Sequence, residues 1–332
     1  MSALKQTEKP LASLSLDLDN KWSYMKTHGD SGWQTFPSYL DIVIPRVIVF
    51  LKSLDLKITF FIVGQDAALE SNHEALSQIA QAGHEIGNHS FHHEPWLHLK
   101  SDAEIAEELE LAEEAIEVAT GKRPKGFRGP GFSFSESILK VLKNRGYIYD
   151  ASTFPTFLGP VARAYYFMTS NLSDEEMQKR KELFGKFREG FRPLKPYRVQ
   201  FDGGDLVEIP VTTMPLFKLP IHVSYLLYLS RFSPAIARCY FRMALEACSI
   251  AGTGISLLLH PLDFLGCDDD LGELAFFPGM NIEANRKISF VESALQMLSG
   301  KFEVVNMIEH AKWISASKTT VRASVAGHKI VI

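Results

Sequence analysis

The chain has little cysteine and no long apolar run. Its three cysteines, Cys239, Cys248 and Cys267, lack the short paired spacing of a zinc knuckle and cannot all pair, which argues against a disulfide framework and for a reducing compartment. No stretch reaches the ~20 uninterrupted apolar residues of a membrane-spanning helix. Residues 1–10 are polar, with neither an apolar signal core nor a small-residue cleavage site, so a cytoplasmic location is expected. Excess positive charge is also missing. A formal net charge of −4 offers no general electrostatic reason to bind nucleic acid, and there are no internal repeats or low-complexity tracts.

What is present is the composition of an ordinary soluble enzyme, 46% hydrophobic and 22% charged over 332 residues. That length suits one large α/β barrel or two modest domains. Strand-like runs at 57–63, 147–150, 206–209 and 255–259 alternate with helical patterns at about 39–54, 67–82, 135–145, 234–251 and 282–298. The clearest helix starts at Ser101, with Glu104 completing a capping box. It carries Ile105, Leu109, Ala112, Ile116 and Ala119 on one stripe and stops at Gly121 before Pro124. Repeated βα units predict a parallel barrel with its chemistry at the C-terminal rim.

Residues 155–250 break this rhythm. A charged Arg/Lys-rich part is followed from Met214 by an apolar, aromatic one. The segment reads as a core-packed helical insertion on the barrel. The alternative is an exposed apolar lip, flanked by Arg163, Lys179, Arg180, Lys181, Lys195 and Arg198, that makes peripheral contact with a membrane carrying a lipid-linked substrate. Beyond Ser317 the chain reads equally as a tail or a late strand.

The most informative run is His89-Ser90-Phe91-His92-His93. His89 and His93, four residues apart, lie on one face of a helical turn and can converge on one metal ion. Upstream, Asp17-Leu18-Asp19 closes an apolar strand, and strand alternation turns both carboxylates to the same face. One can bind the metal while the other stays free as a base. Two His and one Asp leave coordination positions open for water and substrate, which points to a metal-dependent hydrolase. Zinc fits that donor set, and cobalt or nickel can occupy the same site. His92, at i+3, is an alternative ligand, and Ser90 suits a hydrogen bond that holds the turn.

Five motifs in order resemble the polysaccharide deacetylases, the carbohydrate esterase family that includes chitooligosaccharide and peptidoglycan deacetylases. They are Asp17-Leu18-Asp19, His89-Ser90-Phe91-His92-His93, Arg128-Gly129-Pro130-Gly131, Tyr149-Asp150-Ala151-Ser152 and Leu258-Leu259-His260-Pro261. The resemblance implies a single catalytic domain over residues 1–332, a distorted (β/α) barrel of about seven parallel strands with an insertion at about 155–250. It implies that Asp17 is the general base and that Asp19, His89 and His93 bind the metal. It further implies that Arg128 pairs with the base, that the Gly131 N–H serves the oxyanion hole, and that His260 is the general acid, oriented or charged by Asp150. Most relatives have adjacent aspartates. The intervening Leu18 leaves an exchange of roles between Asp17 and Asp19 open. Where the family usually has an aromatic, this chain has Gly131, so the aromatic wall is missing unless Phe132 supplies it.

The implied reaction removes an N-acyl group, acetyl by preference, from an aminosugar in a glycan or glycan precursor. Trp22, Trp33 and Trp96 can stack on sugar rings or belong to the core. The stretch at 208–215 is similar to that of deformylases acting on polyprenyl-linked aminosugars, which makes deformylation an alternative. Two rivals of other classes remain. One is a metal-independent hydrolase of cyclic-imide or allantoin type, and the other a non-catalytic carbohydrate- or lipid-binding relative. The complete set Asp17, Asp19, His89, His93 and His260 counts against both.

Overall fold

The computed structural model describes residues 9–172, 186–201, 204–317, 322–326 and 329–331. Lys179, Arg180 and Lys181 lie outside them. The first strand, β1 (Leu11–Leu18), organises the rest. Its alternation sends Ala12, Leu14, Leu16 and Leu18 to one face and Ser13, Ser15 and Asp17 to the other. The apolar face enters the main hydrophobic core. The polar face is buried as well, because it lines the barrel interior rather than solvent.

Strands β2 (Thr59–Ile62), β3 (Glu85–Asn88), β4 (Gly126–Phe127), β5 (Tyr149–Asp150), β6 (Tyr197–Phe201), β7 (Gly204–Glu208) and β8 (Ile255–Leu259) follow in chain order. Along the path β8-β1-β2-β3-β4-β5-β7 every neighbouring pair is parallel, which makes seven parallel strands as expected. Closure between β7 and β8 is not a strand ladder. Thr212 bridges to Ser256, its N–H donating to the carbonyl at 3.0 Å and its hydroxyl accepting from the N–H at 2.8 Å. β9 (Glu303–Val305) adds to the start of β1. Beyond β7 the sheet extends through antiparallel β6 to β10 (Arg322–Ala326) and β11 (Lys329–Val331), so most of the chain end after Ser317 is strand.

Outside the barrel run α1 (Lys21–His28), α2 (Leu40–Ser53), α3 (Gly64–Ala67), α4 (His73–Gln81), α5 (Asp102–Thr120), α6 (Glu136–Asn144), α7 (Gly159–Thr169), α8 (Val223–Ser230), α9 (Pro234–Ile250), α10 (Ala284–Lys301) and α11 (Met307–Ala316). The capping box at Ser101 and Glu104 forms as its spacing predicts. The helix expected over 67–82 is instead broken. Buried Asn72 donates to the Asp66 carbonyl at 2.9 Å, competing with helical bonding, and α4 begins only at His73. Gly64 lets α3 approach α5, since a Cβ there would sit 2.7 Å from the Ala112 Cα. The N-terminus of α11 meets the β2–β3 region, where the Met307 N–H donates to Thr59 Oγ1 at 2.8 Å and the Ile308 N–H to Glu85 Oε2 at 2.9 Å.

The segment 155–250 is not purely helical. It supplies β6 and the barrel strand β7 before α8 and α9. Val223, Leu226, Leu227, Phe241 and Leu245 pack into the core, whereas Phe232, Ile236, Met243 and Ile250 are exposed. The segment thus packs one set of apolar side chains into the core and exposes another. No helix among the described residues is long and apolar enough to cross a membrane.

Candidate active site

At the C-terminal ends of the strands, Asp19 leaves β1 and His89 leaves β3. The run from His89 to His93 is a loop, not the helical turn its spacing suggested. Ser90 and His93 adopt φ values of 62° and 52°, so the chain doubles back and returns His93 to the side of His89. Left-handed backbone is unfavourable for such residues, by about 1–2 kcal/mol each, and the surroundings must hold it. Ser90 Oγ accepts from the His93 N–H at 3.2 Å, as expected of that serine, and Asn88 Oδ1 accepts from the Ser90 N–H at 2.8 Å. The carboxylate of Glu108, buried on α5, accepts the N–H groups of Phe91 and His92 at 3.1 and 2.7 Å. It also binds His92 Nδ1 at 2.8 Å. His92 is thereby engaged away from Asp19, and His93 rather than His92 stands beside His89 and Asp19.

The donor atoms of Asp19, His89 and His93 all lie within 4.8 Å of one another. Asp19 Oδ1 is 3.3 Å from His89 Nε2 and 2.9 Å from His93 Nε2, yet this buried oxygen receives no hydrogen bond of acceptable geometry. His89 Nδ1 binds the Arg128 carbonyl at 2.6 Å, so the neutral ring carries its proton there and turns the Nε2 lone pair towards Asp19. Burial disfavours charge on Asp19, but His93 and His89 outweigh it and hold its carboxyl far below the usual range. Burial likewise opposes charge on His89, and Asp17 and Asp19 overcome it to push its pKa up. A point that draws positive charge and is faced by an unsatisfied carboxylate oxygen and an imidazole lone pair fits a divalent cation.

Asp17 stands one alternation earlier on β1 and takes no part in this triad. Arg128, fully buried after β4, donates from one guanidinium nitrogen to Asp17 Oδ1 at 2.7 Å and Ser15 Oγ at 2.8 Å. Its Nε donates to the Ala151 carbonyl at 3.0 Å. The guanidinium lies 4.5 Å over the Phe61 ring. Asp19 therefore groups with the two histidines, and Asp17 stands apart from them, oriented by Arg128.

These groups open on a cavity of about 180 Å³, whose lining includes Asp17, Asp19, Tyr24, His89, His93, Gly131, Phe132 and His260. Gly131 and Phe132 are both left-handed, with φ 57° and 59°, a turn that brings the Phe132 ring onto Phe154 at 4.8 Å. Phe132 thus supplies the aromatic wall that Gly131 lacks. His260 ends β8, and its Nδ1 lies 2.9 Å from Ser224 Oγ. That hydroxyl donates to Asp263 Oδ1 at 2.7 Å, while Asp263 Oδ2 accepts the His260 N–H at 2.8 Å.

Residues 25–149 match the model of the family described as polysaccharide deacetylase. That match covers less than half of the chain. Members of this family are hydrolases of N-acetyl amide bonds. The peptidoglycan-N-acetylmuramic acid deacetylase PdaA of Bacillus subtilis (strain 168) is 36% identical over 104 residues, 31% of this chain and 38% of the relative. The peptidoglycan deacetylase of Helicobacter pylori is 32% identical over 112 residues, 34% of this chain and 37% of the relative. The chain spans about a third of the length of the first curated relatives it matches. In structure, it resembles a Mycobacterium smegmatis protein assigned to the polysaccharide deacetylases, with TM-score 0.63 and 20% identity over 98% of this chain and 97% of the other, a likeness in fold.

Against the family pattern, two expectations need correction. Asp150 does not touch His260. Its Oδ1 accepts from Ser152 Oγ at 2.5 Å, and Ser152 Oγ in turn accepts the Gly129 N–H at 2.8 Å, so Asp150 braces the turn after Arg128. Burial pushes the carboxyl pKa of both Asp150 and the adjoining Glu208 up, and Asp150 raises that of Glu208 further. Trp22 is not a sugar platform. It is 1% exposed, donates to Asp66 Oδ1 at 2.8 Å and packs its edge 6.4 Å from the His93 ring. Trp96 is half-buried and does not line the cavity. Sequence reasoning missed Tyr24, Glu108, Ser224 and Asp263. Only Asp263 left a trace, as the carboxylate three residues beyond His260. The others come from helices whose sequences show only helical patterning.

Proposed function

We propose that the chain is a metal-dependent N-deacetylase of an aminosugar residue in a glycan or glycan precursor. The observation that carries this reading is the convergence on one cavity of three metal-suited donors, a free carboxylate braced by a buried arginine, and a histidine on the opposite wall. Asp19, His89 and His93 would hold the ion, with zinc the best match to this donor set and cobalt or nickel as substitutes. When bound, it supplies Lewis acidity to the acyl oxygen and the attacking water. Asp17, paired with and aimed by Arg128, takes the proton from that water. The N–H of Gly131, which lines the cavity, would donate to the acyl oxygen as it gains charge. His260 gives the Nε2 proton of its imidazolium to the departing amine, and Phe132 closes one side of the cavity.

The amide acyl group is taken as acetyl because the curated relatives named above are deacetylases of peptidoglycan. Three free thiols favour a cytoplasmic setting, hence a precursor substrate. Peripheral membrane contact is supported by exposed Phe232, Ile236, Met243 and Ile250 beside Arg231, Arg238 and Arg242. Binding to anionic rather than zwitterionic vesicles would test it. The principal experiment is acetate release from N-acetylglucosamine oligomers and peptidoglycan fragments by protein loaded with zinc or cobalt, beside Asp17→Asn and His93→Ala. Asp17→Asn should keep the metal and lose turnover, and His93→Ala should lose both. Turnover by Asp17→Asn at the wild-type rate would overturn the base assignment. A wild type that binds none of these metals would overturn the whole reading.

A further inference from the structure

His260 sits at the end of β8 with one ring nitrogen facing Ser224. Ser224 is the second residue of α8, within the segment least like the rest of the barrel, and its hydroxyl has one proton to give. Asp263 Oδ1, 2.7 Å away, takes it. The same carboxylate accepts the backbone N–H of His260 on its other oxygen. With its only proton committed to Asp263, Ser224 Oγ can meet His260 only as an acceptor, so the imidazole proton must sit on Nδ1.

We propose that Ser224 and Asp263 are positioning residues, a hydroxyl–carboxylate relay that locks His260 in the Nδ1–H tautomer and presents Nε2 to the substrate cavity. This rests on the deacetylase reading for its catalytic meaning, since Nε2 is the atom that must deliver a proton to the amine. In the imidazolium form the Nδ1–H stays bonded to Ser224, and the negative charge of Asp263 stands one hydroxyl away. The ring can therefore gain and lose its Nε2 proton without rotating. Asp150, to which the family pattern assigned this task, is engaged with Ser152 and Glu208 and is replaced here by residues from α8 and the turn after β8.

Other groups face the histidine. The His222 ring is 6.3 Å away, and burial, then His260 itself, push its pKa down to about 3, so it is neutral. Lys287 on α10 donates to the Leu262 and Leu265 carbonyls at 2.9 and 2.7 Å, bringing its positive charge to the turn that carries Asp263. Asp17, Asp19 and Tyr24 line the cavity opposite. The Asp263 backbone N–H also faces the His260 side chain in a capping-box arrangement, but it donates to the His260 carbonyl at 3.0 Å. None of the side chains above meets Nδ1, and the relay is what sets the tautomer.

The deciding measurement is long-range ¹H–¹⁵N correlation of histidine-labelled protein, with the His260 signals assigned through His260→Gln. Neutral wild-type His260 should show a protonated Nδ1 and an unprotonated Nε2. Ser224→Ala should shift the ring towards Nε2–H, and Ser224→Thr, which restores a hydroxyl, should return it. If wild-type His260 is Nε2–H, or if Ser224→Ala leaves its tautomer unchanged, the relay is wrong whatever the protein hydrolyses. With N-acetylglucosamine oligomers, Ser224→Ala should lower kcat by about 100-fold, the lower end of what a placed general acid contributes. KM should change little, and Ser224→Thr should recover most of the rate. Equal effects on KM and kcat, with no recovery in Ser224→Thr, would assign Ser224 to packing and overturn the relay. Absence of turnover in the wild type would instead count against the deacetylase reading and leave the tautomer result standing.

Discussion

Replacing Arg128 by methionine should destabilise the protein more than any single change on its surface. Arg128 is wholly buried, and its guanidinium serves Asp17, Ser15 and the Ala151 carbonyl while stacking over Phe61. Methionine fills much of the volume and keeps contact with Phe61. It leaves the Asp17 carboxylate, only 4% exposed, without its cation. Breaking a buried ion pair from one side costs about 3–5 kcal/mol. For 332 residues the unfolding entropy is about 0.7 kcal/mol per kelvin, so the melting temperature should fall by about 4–7 °C. The double variant Arg128→Met/Asp17→Asn removes the stranded charge as well. It should lose less than the two single changes together, with a coupling energy of about 1–3 kcal/mol. Calorimetry or urea titration of all four proteins in EDTA measures the cycle without metal linkage. A loss below about 1 kcal/mol in Arg128→Met, or strict additivity, would refute the claim that Arg128 serves chiefly as the partner of the buried Asp17 carboxylate.

Three further outcomes follow from other contacts. Glu108→Ala removes the carboxylate that gathers the His89–His93 loop, so metal affinity should fall by about 10–100-fold. Unchanged affinity in calorimetric titration would show that the loop holds itself. Burial raises the Asp66 pKa to about 7, from 3.8. Between about pH 4 and 7 the unfolded chain has lost that proton while the folded chain keeps it, so wild-type stability should decline as pH rises through this window, by at most about 4 kcal/mol. Asp66→Asn should remove that decline in metal-free urea titrations. A variant with the same pH slope as wild type would contradict it. The Tyr24 hydroxyl is buried at the cavity wall with no hydrogen-bond partner among the described residues. Tyr24→Phe should weaken catalysis on acetylated oligomers by about threefold to tenfold, the worth of one hydrogen bond to substrate. An unchanged kcat/KM would mean that the substrate never meets it.

Much of the architecture is legible in the residues alone, because strand and helix periods respond to short-range patterning. The Leu/Ser/Asp alternation of β1, the capping box at Ser101 and the apolar strand ending at His260 all take the form their spacing predicts. The chemistry of the metal donors is similarly local, since His89, His93 and Asp19 are the residue types such a site needs. How they meet is not local. The return of His93 depends on left-handed backbone at Ser90 and on Glu108 reaching across from α5, and no spacing rule encodes either. The orienting partner of His260 went unseen for the same reason. Ser224 lies 36 positions away on a helix whose sequence reads only as apolar. The residues by themselves determined which strands form, which side chains reach the rim and which chemistry they can support, because those properties repeat every two to four positions. Only tertiary structure decided which arginine braces which carboxylate, which histidine turns inward and which hydroxyl fixes a proton, because each depends on groups brought within 3 Å from distant parts of the chain.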